Sequence, residues 1–266
     1  MSYITLLTDF GIRDGAVGLM KGVIWRITPD AQIADLSHTI SPQNLQEAAM
    51  VLHYAAHYFP ESTVHIVVVD PGVGTERRSL AARFGPYYFV GPDNGICTPL
   101  FERAKQAGEP IEIVMLDRPE FWLPEISNVF HGRDIYAPVG AHLAAGVALT
   151  QLGTPIDDPV ILALPKPELT AVGIKGEVTF IDDFGNLHTN LLRHHLQAWP
   201  QVKVRLGGVE LDGLARTFGD EPPGTLIALY GTEHDLIVSV VNGNAQQKLG
   251  AQIGDPVEVI GVTQSS

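Results

Sequence analysis

The sequence predicts an α/β domain with a largely parallel central sheet, followed by a smaller all-β domain. Three observations predict it. From residue 3 to about 150, short β-rich runs alternate with stretches of helical period. Runs such as "VHIVVVD" are apolar on both faces, as strands of a covered parallel sheet are. After Gly153 the helical period disappears and short strands with glycine turns take over. The expected organisation is an α/β domain over residues 1–155, a proline-rich linker over 156–170 and a β domain over 171–266.

"YITLLT" opens the chain as a strand that ends at Asp9, followed by a glycine turn. A helix follows, with Asp14 as the expected N-cap, Val17, Met20, Ile24 and Ile27 at helical spacing, and Pro29 closing it. "QIADLS" reads as the second strand. After Pro42, the positions Leu45, Ala49, Leu52, Ala56 and Phe59 mark a second amphipathic helix. "VHIVVVD" is the third strand, and "YYFVGPDNG" repeats the pattern of strand, acid and glycine turn. "FHGRD", residues 130–134, precedes an apolar helix ending "AHLAAG", with His131 or Asp134 as its expected cap. "GTPIDDPVILALPKPEL" carries four prolines in seventeen residues, which makes it the linker. Beyond it "GEVTFIDDFGNLHTN", "VKVRLGGVELDG", "GTLIALYG", "DLIVSVVNG" and "DPVEVIG" read as strands and turns.

Composition narrows the function. The chain has 266 residues, 45% of them hydrophobic, enough to bury a large core. Seventeen basic residues against thirty acidic ones give a net charge of −13, with no basic run longer than two. That argues against nucleic acid and anionic membrane as partners. The single cysteine, Cys97, excludes an internal disulfide framework and fits a reducing, cytoplasmic compartment. The N-terminus lacks a basic n-region, and its short apolar run is broken by Asp9, so neither a secretion signal nor a membrane span is expected.

Asp9, Asp70 and Asp93 each follow a strand and precede a glycine turn. In open α/β sheets, ligands gather beyond the carboxyl ends of strands, so acids there are candidate contacts, although Asp and Gly are also ordinary turn formers. Asp70 stands out because its loop also carries Arg77 and Arg78, which brings a guanidinium within reach of a carboxylate. "HYAAH" sets His53 and His57 one helical turn apart, but Tyr54 stands where a zinc protease needs glutamate, and no metal site is expected. "GPDNG" lacks the spacing of a dinucleotide fingerprint, and the sequence contains no P-loop.

Five ordered motifs, "TLLTDFGIRDGAVGLMKGVI", "VVVDPGVGTERRSL", "GPDNG", "FHGRDIYAPVGAHLAAG" and "IDDFGNLHTN", together resemble the S-adenosylmethionine (SAM) hydroxide adenosyltransferases, relatives of the fluorinating and chlorinating enzymes. The resemblance runs from residue 3 to about residue 260. It implies an α/β domain and a barrel-like β domain, assembled as a homotrimer with sites between neighbouring subunits. It also implies the reaction: water or hydroxide displaces methionine from ribose C5′, giving adenosine and L-methionine, with SAM as substrate and no cofactor. By motif, Asp70, Arg77 and His131 hold the attacking water. Asp9 grips the ribose hydroxyls, and Asp70 also touches the nucleoside. Asp182 faces the methionine ammonium, Phe184 is the aromatic packing position and Asn186 contacts adenine and ribose. Thr232 stands where a serine holds the methionine carboxylate, and Val240 offers backbone contacts to adenine.

The chemistry is consistent with such a site. A sulfonium leaves as a neutral thioether and needs no general acid, so the main requirements are a placed nucleophile and an in-line C5′. A carboxylate beside an arginine is expected to be a weak base. Asp70 is therefore expected to orient the water and His131 to accept its proton. The proline-glycine turn after Asp70 is expected to let the backbone approach the nucleoside.

The chain departs from the family pattern near its end, reading "YGTEHDLIVSVVNGNA", with Asp235 in place of an aromatic and Ile237 in place of a glutamate. Two alternatives stand beside hydrolysis. Halide transfer is disfavoured by Val73 and Gly132 at positions that lack a hydroxyl, by the acid at position 70, and by the short stretch before "PDNG". The other alternative is a SAM- or adenosine-binding regulator without turnover, against which the joint presence of Asp70, Arg77 and His131 argues.

Overall fold

A computed structural model describes residues 2–262, so residue 1 of the expected 1–155 domain and residues 263–266 of the expected 171–266 domain lie outside it. The chain divides into two compact units between Ala163 and Leu164.

The first unit contains β1 (Tyr3–Thr8), α1 (Ala16–Ile27), β2 (Gln32–Ser37), α2 (Leu45–Ala55), β3 (Val64–Val68), β4 (Ser79–Phe84), β5 (Tyr87–Pro92), α3 (Thr98–Ala107), β6 (Ile111–Leu116), α4 (Ala137–Ala144) and β7 (Gly153–Pro155). Its sheet runs in the order β2-β1-β3-β5-β4-β6-β7. Neighbours from β2 to β5 are parallel; β4 is antiparallel to both β5 and β6, and β7 to β6. Hence five of the seven strands run in one direction, as a largely parallel sheet requires. β3 lies at the centre and is buried at all five positions, because both faces are covered. Ile4, Leu6, Ile66 and Val68 pack with Met20 and Ile24 of α1 and Val139 and Leu143 of α4. On the other face Leu7, Val67, Leu80 and Phe89 pack with Leu52 of α2 and Leu100 and Ala104 of α3.

Helix ends differ from expectation in small ways. Gly15, at φ 76°, is the residue that caps α1, while Asp14 accepts from the Ala16 N–H at 3.0 Å and so satisfies the first turn from one residue further out. α2 is capped by Asn44, which accepts from the Glu47 N–H. It ends as an α-helix at Ala55 and continues as a 3₁₀ turn over Ala56–Tyr58, so Phe59 is not helical. Phe59 precedes Pro60, which disfavours the helical conformation.

The proline-rich stretch is not a free tether. Its first part lies on the first unit: the Ile156 N–H donates to the Ile113 carbonyl, Val160 N–H to Asp93 Oδ1 and Leu162 N–H to Thr98 Oγ1. Its last part belongs to the second unit, where Asn190 donates to the Pro165 carbonyl.

The second unit contains β8 (Glu168–Leu169), β9 (Gly173–Ile181), β10 (Leu187–Leu192), β11 (Val202–Leu206), β12 (Val209–Asp212), β13 (Leu226–Tyr230), β14 (Asp235–Val240), a short α5 (Ala245–Leu249) and β15 (Pro256–Gly261). The sheet is antiparallel throughout, in the order β12-β11-β15-β9-β10-β14-β13, with β8 on β9. Just past β12 the Ala215 N–H donates to Ala228 of β13, bringing the two ends of the sheet together into a nearly closed barrel. Val178, Leu187, Leu191, Val204, Leu236, Val238 and Val257 fill its interior. α5 carries no long hydrophobic period, but Asn244 caps it by accepting from the Gln247 N–H. Among the described residues no helix is long and apolar enough to cross a membrane.

Candidate active site

In the first unit the site is built where parallel strands end. β1 and β3 are neighbours in register, Thr8 beside Val68, so Asp9 and Asp70 emerge side by side beyond their carboxyl ends. Asp70 starts a loop of tight turns, with Val73 N–H donating to the Asp70 carbonyl and Thr75 N–H to the Gly72 carbonyl. The closest backbone packing of this loop against the rest of the unit is at Gly74. Gly74 has φ 76°, and the Asn128 carbonyl occupies the space a Cβ would need.

The loop turns Arg77 back onto Asp70. Arg77 Nε donates to Asp70 Oδ1 at 3.1 Å and Nη2 to Oδ2 at 2.7 Å, a two-pronged pair. Nη1 donates to the Arg78 carbonyl and to Ser79 Oγ, which in turn meets the buried Tyr136 hydroxyl at 3.2 Å. Nη2 also lies 3.1 Å from His131 Nδ1. His131 itself is placed by a single π-helical turn over Gly132–Tyr136 that leads into α4. His131 stands at the N-cap position of that turn without a side-chain capping hydrogen bond, and Asp134 lies inside the turn. Asp134 is fully buried and accepts from the Ser127 N–H and from Arg133, which holds the preceding loop.

Asp9, Asp70 and His131 line one cavity of about 130 Å³, together with Val73, Gly132 and Phe130. Arg77 lies behind Asp70. Asp9 is held by the Gln43 N–H at 2.8 Å, and Gln43 takes φ 64°, an uncommon conformation for a residue with a side chain. That contact has no signal in the sequence. Asp93 does not join the cavity. Its nearly buried carboxylate takes Arg78 on one oxygen and the Val160 N–H on the other, so the acid of "GPDNG" and the second arginine anchor the proline-rich stretch.

Two electrostatic expectations change. Asp70 is not a weakened base, because burial pushes its carboxyl above the ordinary aspartate value and outweighs the Arg77 charge. His131 is held below the ordinary histidine value by burial and by Arg77, hence neutral at pH 7. An arginine only donates, so the nitrogen facing Nη2 is an acceptor, and the His131 proton sits on Nε2. This leaves His131 an N–H rather than a free lone pair to offer, which bears against the proton-acceptor role expected above.

In the second unit Asp182, Phe184, Asn186, Thr232 and Val240 line a separate cavity of about 680 Å³. Asp182 organises the β9–β10 turn: Oδ1 accepts from the N–H groups of Phe184 and Asn186, and Oδ2 accepts from the Asn186 amide at 2.7 Å. This leaves Phe184 76% exposed at the rim. His188, Tyr230 and Ile237 line the same cavity, and Asp235 is buried behind His188. His188 and Tyr230 were not legible as site residues; the one available signal was that position 188 faces the same way as Asn186 along a strand of alternating burial. Among the described residues no group of three or more His, Cys, Asp or Glu is placed to hold a metal ion.

Residues 4–153 match the SAM hydroxide adenosyltransferase N-terminal domain and residues 176–258 the corresponding C-terminal domain. The chain is 38% identical to an (R)-S-adenosyl-L-methionine hydrolase of Thermus thermophilus, over 98% of this chain and 100% of the relative. It is 30% identical to a fluorinase of an Actinoplanes species, over 77% and 78% of the two chains. The solved structure of an uncharacterized conserved protein from Thermotoga maritima superposes with a TM-score of 0.90 at 37% identity, over 97% and 99% of the chains. With both domains matched and the relationship spanning nearly its whole length, the chain belongs to the SAM hydroxide adenosyltransferase family.

Proposed function

We propose that this protein hydrolyses SAM to adenosine and L-methionine by attack of water on ribose C5′. The observation that carries the reading is the Asp70–Arg77–His131 cluster at a small cavity beside Asp9, in a chain whose hydrolase relatives match it end to end. In the reaction the water oxygen bonds to C5′, the C5′–S bond breaks, and its electron pair stays on sulfur as the neutral thioether of methionine. The water proton passes to Asp70, which burial makes a stronger base than an ordinary aspartate while His131 Nδ1 is engaged by Arg77, and then to solvent. Arg77 fixes the Asp70 carboxylate, and the His131 Nε2–H donates to the water oxygen, leaving a lone pair directed at C5′. Asp9 takes the ribose hydroxyls, Asn186 and the Val240 backbone take adenine, Phe184 packs on the ligand, and Asp182 and Thr232 take the amino-acid end. No cofactor enters this scheme. We further propose a cytoplasmic homotrimer in which the first unit of one chain and the second unit of a neighbour complete each site. The test is incubation of pure protein with SAM, followed by chromatography for adenosine and methionine. Absence of both products leaves the binding-regulator reading instead.

Halide transfer is the second reading, since fluorinases are among the relatives. Val73 and Gly132 line the cavity without a hydroxyl to offer a desolvated halide, and the Asp70 carboxylate repels an anion. Mass spectrometry of products formed in high chloride or fluoride should show no 5′-halo-adenosine; any that forms only with active enzyme promotes this reading.

A further inference from the structure

His188 stands on β10 in the wall of the larger cavity, opposite Ile237 of β14 in the antiparallel register. Its Nδ1 lies 2.7 Å from Oδ2 of Asp235, whose side chain is 2% exposed, and its Nε2 lies 3.7 Å from Oδ2 of Asp182. Phe180 flanks the ring. The absence of a side chain at Gly231 makes room for the Asp235 carboxylate. A carboxylate buried as deeply as Asp235 needs a neutralising donor, and His188 supplies it. Burial disfavours the imidazolium, but the hydrogen bond and charge of Asp235, joined by Asp182, outweigh it and raise the His188 pKa. Among the described residues that line the cavity, the other titratable group is Tyr230 from β13, whose pKa is raised by burial, which leaves it neutral.

The wall thus sets an imidazole, whose protonated form two carboxylates favour, beside the Asp182 carboxylate. Asp182 is held rigid by its own turn, and His188, with Nδ1 committed to Asp235, meets a ligand through Nε2. An α-amino acid group carries an ammonium and a carboxylate on one carbon, the complementary pair in sign and in spacing. Ile237, across from His188, adds no competing charge.

We propose that His188 is a specificity-determining residue for the amino-acid end of the substrate, its Nε2–H taking the α-carboxylate beside Thr232 while Asp182 takes the α-ammonium. This rests on the reading of SAM as substrate. Asp235 is a positioning residue that acts through His188.

The test compares SAM with decarboxylated SAM, which keeps the adenosine, the sulfonium and the amine but lacks the carboxylate. Affinities are measured by calorimetry on the full chain carrying Asp70→Asn to slow consumption, with His188 intact and with His188→Gln. The substitution should weaken SAM about 10- to 100-fold and decarboxylated SAM by less than about threefold. With His188 intact, SAM affinity should fall as pH rises above the ordinary histidine range while the analogue holds. Asp235→Asn should move that fall to lower pH, a shift that a merely structural role would not produce. Equal losses for the two ligands, no loss for SAM, or no preference for SAM with His188 intact overturns the proposal. If the His188 signature is present but the unsubstituted chain forms no adenosine, hydrolysis fails and this inference stands; if neither ligand binds, both fail.

Discussion

Arg77 meets Asp70 side on, with Nε 3.1 Å from Oδ1 and Nη2 2.7 Å from Oδ2, and both side chains less than 10% exposed. A lysine keeps the charge but not the fork, and it cannot hold Asp70, His131 and Ser79 at once. Arg77→Lys should therefore lower kcat by about 100-fold, the scale of a misplaced catalytic group, while adenosine affinity changes little. Asp70→Asn should do the same. Rates within about threefold of the parent in a coupled adenosine assay would remove this pair from the chemistry.

The direction of the Arg77–His131 contact separates two roles for the histidine. If His131 works as an Nε2–H donor, His131→Gln, whose amide donates from a similar position, should retain clearly more turnover than His131→Ala. If it were the base, the two variants would be equally inactive, since an amide accepts no proton at these pH values. Steady-state rates of the two variants decide between the roles.

The same cluster sets a pH profile. Turnover requires Asp70 ionised and His131 neutral, and the two groups shift toward each other, Asp70 upward from 3.8 and His131 downward from 6.5. Both protonations occur on the acid side, so kcat/KM should fall as pH drops, with its midpoint above the ordinary aspartate value. A midpoint at or below the ordinary aspartate value would contradict the burial argument.

A separate histidine governs stability. His65 on β3 is completely buried, its Nδ1 2.8 Å from Thr5 Oγ1 of β1, and burial pushes its pKa down to about 4. Between about 4 and 6.5 the unfolded chain binds a proton that the folded chain excludes. Stability is therefore complete above the upper value and declines as pH falls through that window, by about 3 kcal/mol. Urea midpoints at pH 7 and pH 4.5 should separate more for the parent than for His65→Gln. Equal separations would show that His65 titrates normally.

The two halves of the proposed site lie in different units of the chain, which suggests complementation. Asp70→Ala disables the first unit's half and Asn186→Ala the second's. If each site joins units from neighbouring chains, equal amounts co-refolded at random restore about a quarter of the sites. If every site drew on a single chain, the mixture would remain as inactive as its components.

The sequence by itself determined the alternation of strands and helices, the change of texture after Gly153, the acids beyond β1 and β3, and an arginine within loop reach of Asp70, with the family motif singling out Arg77 over Arg78. These are local matters: side-chain alternation, turn chemistry and a loop of seven residues are set by neighbours along the chain. β6 went unread because its place beside β4 depends on antiparallel pairing across the sheet rather than on any period of its own. Tertiary structure alone decided that Asp93 faces Arg78 and the proline-rich stretch, although it follows its strand just as Asp9 does. It also decided the proton position on His131, which depends on a donor 54 residues away, and the pairing of His188 with Asp235 across 47 residues. Burial reversed the expected basicity of Asp70, because the cost of removing a carboxylate from water is set by everything packed around it, and no stretch of sequence carries that sum.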